Sequence, residues 1–192
     1  PTTVLDIVGD NKDYVCVKVN KRVRELTYPI DKNSEIEVLT TKDRDAMRIY
    51  EASLRFLVAM ALNNIAPNTK FRFSYNVSRS IFLQFIDDKN IANSSLTLKL
   101  AREMERLVQE DIPLIRTKVP KEEAIELFQN LGWNDKADLI KYRPEKTAHV
   151  YMCGNYKNYL YERMVPSTGY IRNWKIKFYS PGIIIQYPRS EC

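Results

Sequence analysis

The chain has 192 residues, of which 44% are apolar, and a formal net charge of +6. This length suits one medium domain, or one medium and one small domain. No run of 18 apolar residues is present, which argues against a membrane-spanning helix, and the N-terminal residues lack the basic head and apolar stretch of a signal peptide. The charges are spread in mixed sign, which favours solvated surface over a continuous binding stripe.

The cysteines Cys16, Cys153 and Cys192 are odd in number and lie far apart. This pattern argues against a disulfide framework and favours a reducing, cytoplasmic location. The chain begins at Pro1 rather than at a methionine, which favours a processed protein or a piece of a longer one.

Residues 1–44 have the pattern of a small strand-rich segment. TVLDI predicts a short helix capped by Thr2 or Thr3. YVCVKV (Tyr14–Val19), VRELTYPI and EIEVLT (Glu35–Thr40) predict three short strands. So few elements fold poorly alone, so we expect this segment to pack on the rest of the chain.

The stretch from Asp45 to Ile65 predicts one long helix, because it contains neither Gly nor Pro and has apolar residues at helical spacing. The predicted inner face consists of Ile49, Ser53, Phe56, Leu57, Met60, Ala61 and Asn64. Beyond this helix, strand and helix patterns alternate to the end of the chain. The whole predicts an α+β fold, with the long helix packed on a mostly antiparallel sheet.

Residues that often carry chemistry give little signal here. His149 is the only histidine and has no Cys near it in sequence other than Cys153, so we expect structural roles for both residues. The five glycines are scattered, and no G-x-x-x-x-G-K loop is present. The chain therefore has no phosphate-cradling loop of its own.

Aromatic and basic residues are interleaved in two regions, a pattern that can stack bases and hold phosphates. The alternative is that these tyrosines pack half-buried with wet hydroxyl groups. The residues concerned are Tyr75, Arg79, Lys141, Tyr142, Arg143, Tyr156, Lys157, Tyr159, Tyr161 and Arg163.

Three segments in order resemble the second additional domain of threonyl-tRNA synthetase. They are DAMRIYEASLRFLVAMALNNIAPNTKF, AREMERLVQEDIPLIRTKVPKEEAIELFQNLGWNDK and YLYERMVPSTGYI. In that enzyme the domain hydrolyses mischarged tRNA. Residues 1–44, with KVNKRVRELTYPI, resemble the second half of a TGS domain, a small β-grasp module. The resemblance thus implies two domains, a truncated TGS-like segment (1–44) and an editing-type α+β domain (45–192).

The same pair of domains also precedes a P-loop kinase domain in bacterial uridine kinase-like proteins. Five segments of the chain resemble the sequences of that branch. They are RIYEASLRFLVAMAL, KEEAIELF, DKADLIKYR, MVPSTGY and YSPGIIIQYP. It implies a non-catalytic accessory region of an ATP-dependent nucleoside kinase. ATP and Mg would then belong to a C-terminal kinase domain of the same protein, and this chain would need no cofactor.

The resemblance also implies that the editing site is degenerate. Its four metal-ligand positions fall on Ala52, Phe56, Leu160 and Met164, none of which ligates zinc well, and an acidic position falls on Asn158. Lys136 is retained. We therefore expect no metal and no catalytic residue, and we expect Ser53, Lys136, Asn158, Thr168 and Arg79 as binding candidates of the cleft.

Two alternatives to the accessory region stay open at this stage. One is an editing hydrolase that acts on aminoacyl-tRNA, and the other is an RNA-binding module. The ligand would be RNA or a small anion. The sequence does not decide the ligand, the oligomeric state or the remaining domains of the parent protein.

Overall fold

The computed structural model describes residues 1–87, 91–130, 132–159 and 162–189, with the backbone alone for residues 75–77. The chain divides into two compact units. The first unit comprises Pro1–Ile112 and Arg163–Cys192, and the second unit is the intervening stretch Pro113–Glu162. The fold is α+β with antiparallel strand pairing, as the sequence predicts. The predicted domain boundary after residue 44 stays a prediction.

The first unit contains nine strands, three helices and one short 3-10 turn in its described part. Its strands are β1 (Thr2–Thr3), β2 (Tyr14–Val19), β3 (Arg22–Arg24), β4 (Pro29–Ile30), β5 (Ile36–Thr40), β6 (Phe71–Val77), β7 (Ser80–Phe85), β11 (Lys175–Tyr179) and β12 (Gly182–Gln186), of which β1 and β4 form only a two-residue pair. Its helices are α1 (Val4–Val8), α2 (Arg44–Ile65) and α3 (Ser94–Glu110), and the 3-10 turn is Thr168–Tyr170.

The short helix α1 forms where the TVLDI stretch predicts it. Thr3 occupies the N-cap, where its hydroxyl accepts a hydrogen bond from the Asp6 N–H and the Asp6 carboxylate accepts one from the Thr3 N–H. This reciprocal capping box satisfies two backbone donors that would otherwise lack partners. The predicted cap is therefore confirmed.

Helix α2 is continuous from Arg44 to Ile65, as predicted. It packs against α3 and against strands β2 and β5 of the sheet ordered β3-β2-β5. The predicted inner face is buried except at its last residue. Asn64 is exposed, and its side-chain amide donates to the Glu103 carboxylate at 2.8 Å, because the helix end extends past its apolar neighbours.

The last two strands complete a four-stranded sheet of the order β11-β12-β7-β6. Strand β12 is buried at all five residues and pairs with β7, so that Ile183 lies opposite Leu83. Gly182 permits a close approach there, since a Cβ atom would lie 2.3 Å from the Leu83 carbonyl oxygen. Any larger residue at this position would separate the two strands.

The second unit is a three-stranded sheet with two helices. The elements are β8 (Ile115–Pro120), α4 (Lys121–Asn130), α5 (Asn134–Lys141), β9 (Thr147–Cys153) and β10 (Tyr156–Tyr159). The sheet order is β10-β9-β8, so β8 and β10 are its edges. The core of this unit is formed by Ala124, Phe128, Ala137, Ile140, Ala148 and Val150.

The run IPLIRTKV, from Ile112 to Val119, predicts a strand, but strand β8 begins three residues later, at Ile115. The Ile112 carbonyl instead accepts a hydrogen bond from the Thr168 N–H. Residue 112, which the pattern assigns to the strand, is thus hydrogen-bonded to a residue far away in sequence and does not join β8.

No helix in the described ranges combines the length and apolarity required to cross a membrane.

Candidate functional site

A polar cluster around Lys136 is the main candidate site of the second unit. The Lys136 ammonium donates to Oδ1 of Asn158 on β10. The Asn158 amide in turn donates to the Tyr156 hydroxyl at 2.9 Å. Asn158 and Tyr156 are both buried, so the amide that receives the lysine is held in one orientation. We call Lys136, Asn158, Tyr156 and Trp133 the lysine cluster.

Local chain geometry brings Lys136 to this position. Helix α4 ends at Asn130, and Gly132, two residues later, has a φ of +75°, a backbone conformation that favours glycine. The Trp133 N–H donates back to the Phe128 carbonyl at 2.8 Å, which closes the turn before α5. The Trp133 ring then stacks on Phe128, with centroids 5.8 Å apart, and meets the Tyr156 ring edge-on. Lys136, on the first turn of α5, places its Nζ 4.7 Å from the Trp133 ring centroid.

The electrostatics of Lys136 are unusual because its partners are neutral. Within the described residues, no carboxylate lies within ion-pair distance of its Nζ. Burial lowers the pKa of Lys136 to about 8. Its partner Asn158 is a neutral amide, which does not offset the burial of the ammonium as a carboxylate would.

The lysine cluster can therefore recognise an electron-rich group. An ammonium has three donors, and one of them is used by Asn158. The others can bind a carboxylate, a phosphate or a carbonyl oxygen. Burial raises the pKa of the Tyr156 hydroxyl, so that group stays protonated. The cluster thus provides a cation and neutral dipoles for binding.

Ser53 has a structural role in α2. It is fully buried, its hydroxyl donates to the Ile49 carbonyl at 2.7 Å, and it accepts from the Val165 N–H at 3.0 Å. The first bond is the usual back-bonding of a serine inside a helix. The second fixes residues 163–167 against the helix.

Thr168 also has its bonds fully engaged within the first unit. Its hydroxyl donates to the Leu107 carbonyl at 2.5 Å and accepts from the Ile112 N–H at 2.8 Å. Because the residue is completely buried, this bonding joins the 3-10 turn to the end of α3.

Arg79 lies in the tight turn between β6 and β7. Ser78 and Arg79 have φ values of 49° and 58°, the left-handed pair of a hairpin turn. The Arg79 side chain is exposed. Of the five binding candidates, the structure joins Lys136 to Asn158 by a hydrogen bond, whereas Ser53, Thr168 and Arg79 belong to the other unit. That all five face one cleft stays a prediction.

The residues at the expected metal positions do not fit a zinc ion. Phe56 and Met164 are each 1% exposed and Ala52 is half-buried, and none of the three offers a nitrogen, carboxylate or thiolate ligand. Leu160 lies outside the described residues. No group of three or more His, Cys, Asp or Glu residues in the described part of the chain is arranged to hold a metal.

Other sequence candidates are placed as follows. Cys16 and Cys153 are buried thiols, and burial raises their pKa to about 12 and about 11. Thiolate chemistry at neutral pH is therefore disfavoured at both. His149 is half-buried on β9.

The interleaved aromatic and basic residues do not share one environment. Tyr142 is 83% exposed at the end of α5, whereas Tyr156 is buried and cannot stack on a base. Tyr159 packs edge-on against Phe128, and the Arg143 guanidinium lies 5.7 Å from the Tyr159 ring centroid. Tyr161 and the Tyr75 side chain lie outside the described residues. Tyr156 and Tyr159 thus pack against other residues of the second unit, and RNA binding stays a prediction.

A second polar network, absent from the sequence predictions, centres on Asp111. Its carboxylate accepts from Ser167 and from the Gly169 N–H, and it pairs with the Lys12 ammonium at 2.7 Å. Lys12 also lies 4.3 Å from the centroid of the Tyr170 ring. These partners are remote in sequence, so no local motif identifies them. We call this group the Asp111 network.

The sequences of known proteins extend this description. No protein-family model matches the chain. A threonine–tRNA ligase of Hahella chejuensis is 28% identical over 92% of the chain and 28% of its own length. That of Listeria monocytogenes is 31% identical over 88% of the chain and 26% of its own length, and that of Carboxydothermus hydrogenoformans is 27% identical over 86% and 26%.

Along most of its length, the chain is similar to one part of threonine–tRNA ligases. It spans about a quarter of the length of the curated relatives it matches. The fold agrees with this relationship, since an editing-type domain of that enzyme was expected to be α+β and antiparallel. The three relatives named above are all threonine–tRNA ligases. The kinase linkage and the TGS-like assignment of residues 1–44 stay predictions.

Proposed function

We propose that the chain recognises the aminoacylated end of tRNA without hydrolysing the ester bond. The observation that carries this proposal is the similarity to threonine–tRNA ligases along 86–92% of the chain. Because one fold can serve many functions, the proposal depends on this sequence similarity together with the residues of the site, and the chemistry depends on individual side chains.

The lysine cluster supports the recognition half of the proposal. A half-buried ammonium without a carboxylate partner gains from a ligand that brings its own electron-rich oxygen. The carbonyl and hydroxyl oxygens of an aminoacyl-adenosine and the phosphates of a tRNA end offer such groups. The Trp133 ring lies beside the Lys136 ammonium in a cation–π contact and helps to hold it in place.

The residues at the expected metal positions support the second part of the proposal, that the chain does not hydrolyse the ester. Hydrolysis of an ester at neutral pH needs an activated water, which a metal or a general base supplies. Phe56 and Met164 are buried apolar residues, and Asn158, as an amide, cannot accept a proton as a carboxylate can. Lys136 is the remaining candidate base, and at neutral pH most of it is charged.

The test uses a non-hydrolysable seryl-adenosine and threonyl-adenosine, with the ester replaced by an amide, together with mischarged seryl-tRNA. We expect both analogues to raise the melting temperature of the wild-type chain and not that of Lys136→Met, and seryl-tRNA to keep its amino acid. Lys141→Met, at an exposed residue of the same helix, is the matched control and should behave as wild type.

Two results would overturn the proposal in different ways. Deacylation above buffer that Lys136→Ala abolishes would make the chain an editing hydrolase. Equal melting temperatures with and without both analogues would show that the chain has lost recognition of this ligand as well.

A second candidate is an accessory region of an ATP-dependent nucleoside kinase in the cytoplasm, with a TGS-like segment at residues 1–44. The wording KEEAIELF, DKADLIKYR and YSPGIIIQYP, which is similar to the kinase-linked branch, favours it. ATP and Mg would bind the kinase domain of the same polypeptide. The test is to isolate the native polypeptide and assay uridine phosphorylation. A native polypeptide that contains an aminoacylation domain and no P-loop would exclude this candidate.

A further inference from the structure

Strand β8 is an edge strand, and no strand among the described residues pairs with its outer side. Its first four residues, Ile115–Lys118, are all exposed, and β9 is its partner on the inner side. In an antiparallel pair every second residue of an edge strand points its N–H and C=O away from the partner. Strand β8 thus presents hydrogen-bonding groups that an added strand can use.

The two faces of β8 differ in chemistry. Arg116 and Lys118 alternate on one face, and neither forms a hydrogen bond or ion pair with another described residue. Thr117 and Val119 lie on the other face, because successive side chains of a strand point to opposite sides. One face of the edge is therefore cationic and unneutralised.

A largely apolar groove adjoins the other face. It has a volume of about 300 Å³, and its apolar lining is Val119, Leu127, Val150 and Met152. The remaining lining residues beyond β8 are polar, namely Glu123, Glu126, Asn130 and Lys157, so the groove suits apolar side chains of a peptide and not its carboxylates. Thr117 and Val119 of β8 are themselves part of the lining, so the groove opens beside the free edge. Ile115, two residues before Thr117 on the same face, is 53% exposed and extends this apolar surface.

We propose that β8 and this groove bind an extended peptide segment of another protein, with acidic and apolar side chains in alternation. The peptide adds to the sheet as a fourth strand next to β8. Its apolar side chains then enter the groove, and its carboxylates lie beside Arg116 and Lys118. Main-chain hydrogen bonds give affinity in this mode of recognition, and the alternating side chains give specificity.

Charge selects this occupant over a second copy of the chain. Two β8 strands paired with each other would bring Arg116 and Lys118 of one copy close to the same cations of the other, and like charges on facing strands are destabilising. An acidic peptide turns the same cations into attractive partners. A nucleic acid would satisfy the cations but would leave the apolar groove empty.

The experiment measures fluorescence anisotropy of a labelled short peptide of alternating Glu and Val, capped at both ends. Three probes serve as controls: the same peptide with Lys in place of Glu, a peptide with all Glu residues before all Val residues, and a labelled oligouridine. We expect the Glu–Val peptide to bind more tightly than each control probe.

Two variants of the binding face are then compared with a matched pair elsewhere. Arg116→Glu/Lys118→Glu is expected to weaken the Glu–Val peptide about tenfold or more and to favour the Lys–Val peptide, because the steering charge is reversed. Met152→Gln, which keeps side-chain length but makes the groove polar, is expected to weaken both alternating peptides. Lys175→Glu/Lys177→Glu carries the same change on β11, the edge strand of another sheet, and is expected to leave binding unchanged.

Several outcomes would overturn the proposal. Tighter binding of oligouridine than of the Glu–Val peptide would assign the face to nucleic acid. Equal binding of the alternating and blocked peptides would mean that charge alone acts, without strand addition. Loss of binding in the β11 pair, with the β8 pair unaffected, would place the peptide on the other edge.

Discussion

The Asp111 network and the lysine cluster each hold a lysine, but in opposite ways. Lys12 pairs with the carboxylates of Asp111 and Asp10, at 2.7 and 3.1 Å. Lys136 meets a neutral amide and an aromatic ring. A paired lysine holds segments of the fold together, whereas an unpaired, half-buried lysine retains binding capacity. The counter-charge, more than the burial, distinguishes a structural cation from a recognition site.

The same comparison applies to neighbouring polar residues. Thr168 has backbone partners for both its donor and its acceptor function. The Asn158 side chain donates to the Tyr156 hydroxyl and accepts from the Lys136 ammonium. We call the bonding of Thr168 the closed arrangement, because all its partners belong to the fold, whereas the bonding of Asn158 leads to a cation that has unused donors.

The largest effect is expected from Thr168→Val. The change removes the hydroxyl that bonds to the Leu107 carbonyl and the Ile112 N–H, with little change in volume. We expect the free energy of unfolding to fall by about 2 kcal/mol, because buried polar groups lose their partner. Urea denaturation measures it. Thr147→Val, at an exposed residue of β9, is the control, and an equal loss in both variants would contradict the closed arrangement.

The next effect concerns acid. Burial tends to raise the pKa of Asp111, but hydrogen bonds from Lys12 and Ser167 and the charge of Lys12 outweigh it, so the pKa lies below 3.8. The stability that this carboxylate contributes is present at neutral pH and is lost as the pH falls through the folded-state pKa. We expect Asp111→Asn to have a lower urea midpoint than wild type at pH 7.

This acid dependence has its own control. The difference in urea midpoint between Asp111→Asn and wild type should become smaller as the pH falls below about 4, where the carboxylate is protonated in the unfolded chain. Asp138→Asn, at an exposed residue of α5, should show no such trend. A gap that stays constant with pH would mean that Asp111 acts through shape rather than charge.

Lys136 is expected to affect stability in the opposite way to Asp111, because its burial costs stability at neutral pH, and Lys136→Met tests this. Burial lowers the pKa of Lys136 to about 8 from the ordinary 10.5, so the folded chain binds this proton more weakly than the unfolded chain. Stability of wild type should therefore rise between about pH 8 and pH 10.5, and Lys136→Met should lack this component. At pH 7 the variant should be as stable as wild type or more stable.

The measurement is the urea midpoint of both proteins across that pH range, with Lys141→Met as the exposed control. A marked loss of stability in Lys136→Met at pH 7 would show that the lysine holds the fold, as Lys12 does, and would remove the contrast between the two clusters.

The smallest effect is expected for zinc. Purified protein should contain no more zinc than a control protein, because Ala52, Phe56 and Met164 offer no ligand set. Elemental analysis measures the content. Stoichiometric zinc that a chelator removes would show that the metal positions are wrongly assigned.

The sequence predicts local structure well and distant contacts poorly. Thr3, the absence of Gly and Pro between Asp45 and Ile65, and the alternation of Tyr14–Val19 each act within a few residues, and the structure agrees with all three. The Asp111 network joins residues 12, 111 and 167–170, and such contacts leave no periodic signal in one sequence.

The candidate site shows the same limit. Lys136 and Asn158 were singled out by resemblance to a family, and their hydrogen bond is consistent with that choice. Ser53 was singled out in the same way, yet its hydroxyl is occupied by Ile49 and Val165. A residue type at a matching position does not reveal whether its polar atoms are already used.

The discontinuous first unit has a consequence for how the protein is made. Ile183 of β12 pairs with Leu83 of β7, one hundred positions earlier in the chain. During synthesis, β6 and β7 leave the ribosome long before β12, the second partner of β7, exists, whereas Pro113–Glu162 is contiguous and emerges complete. We expect the second unit to fold first on the ribosome, and the exposed side of β7 to need protection until β12 arrives.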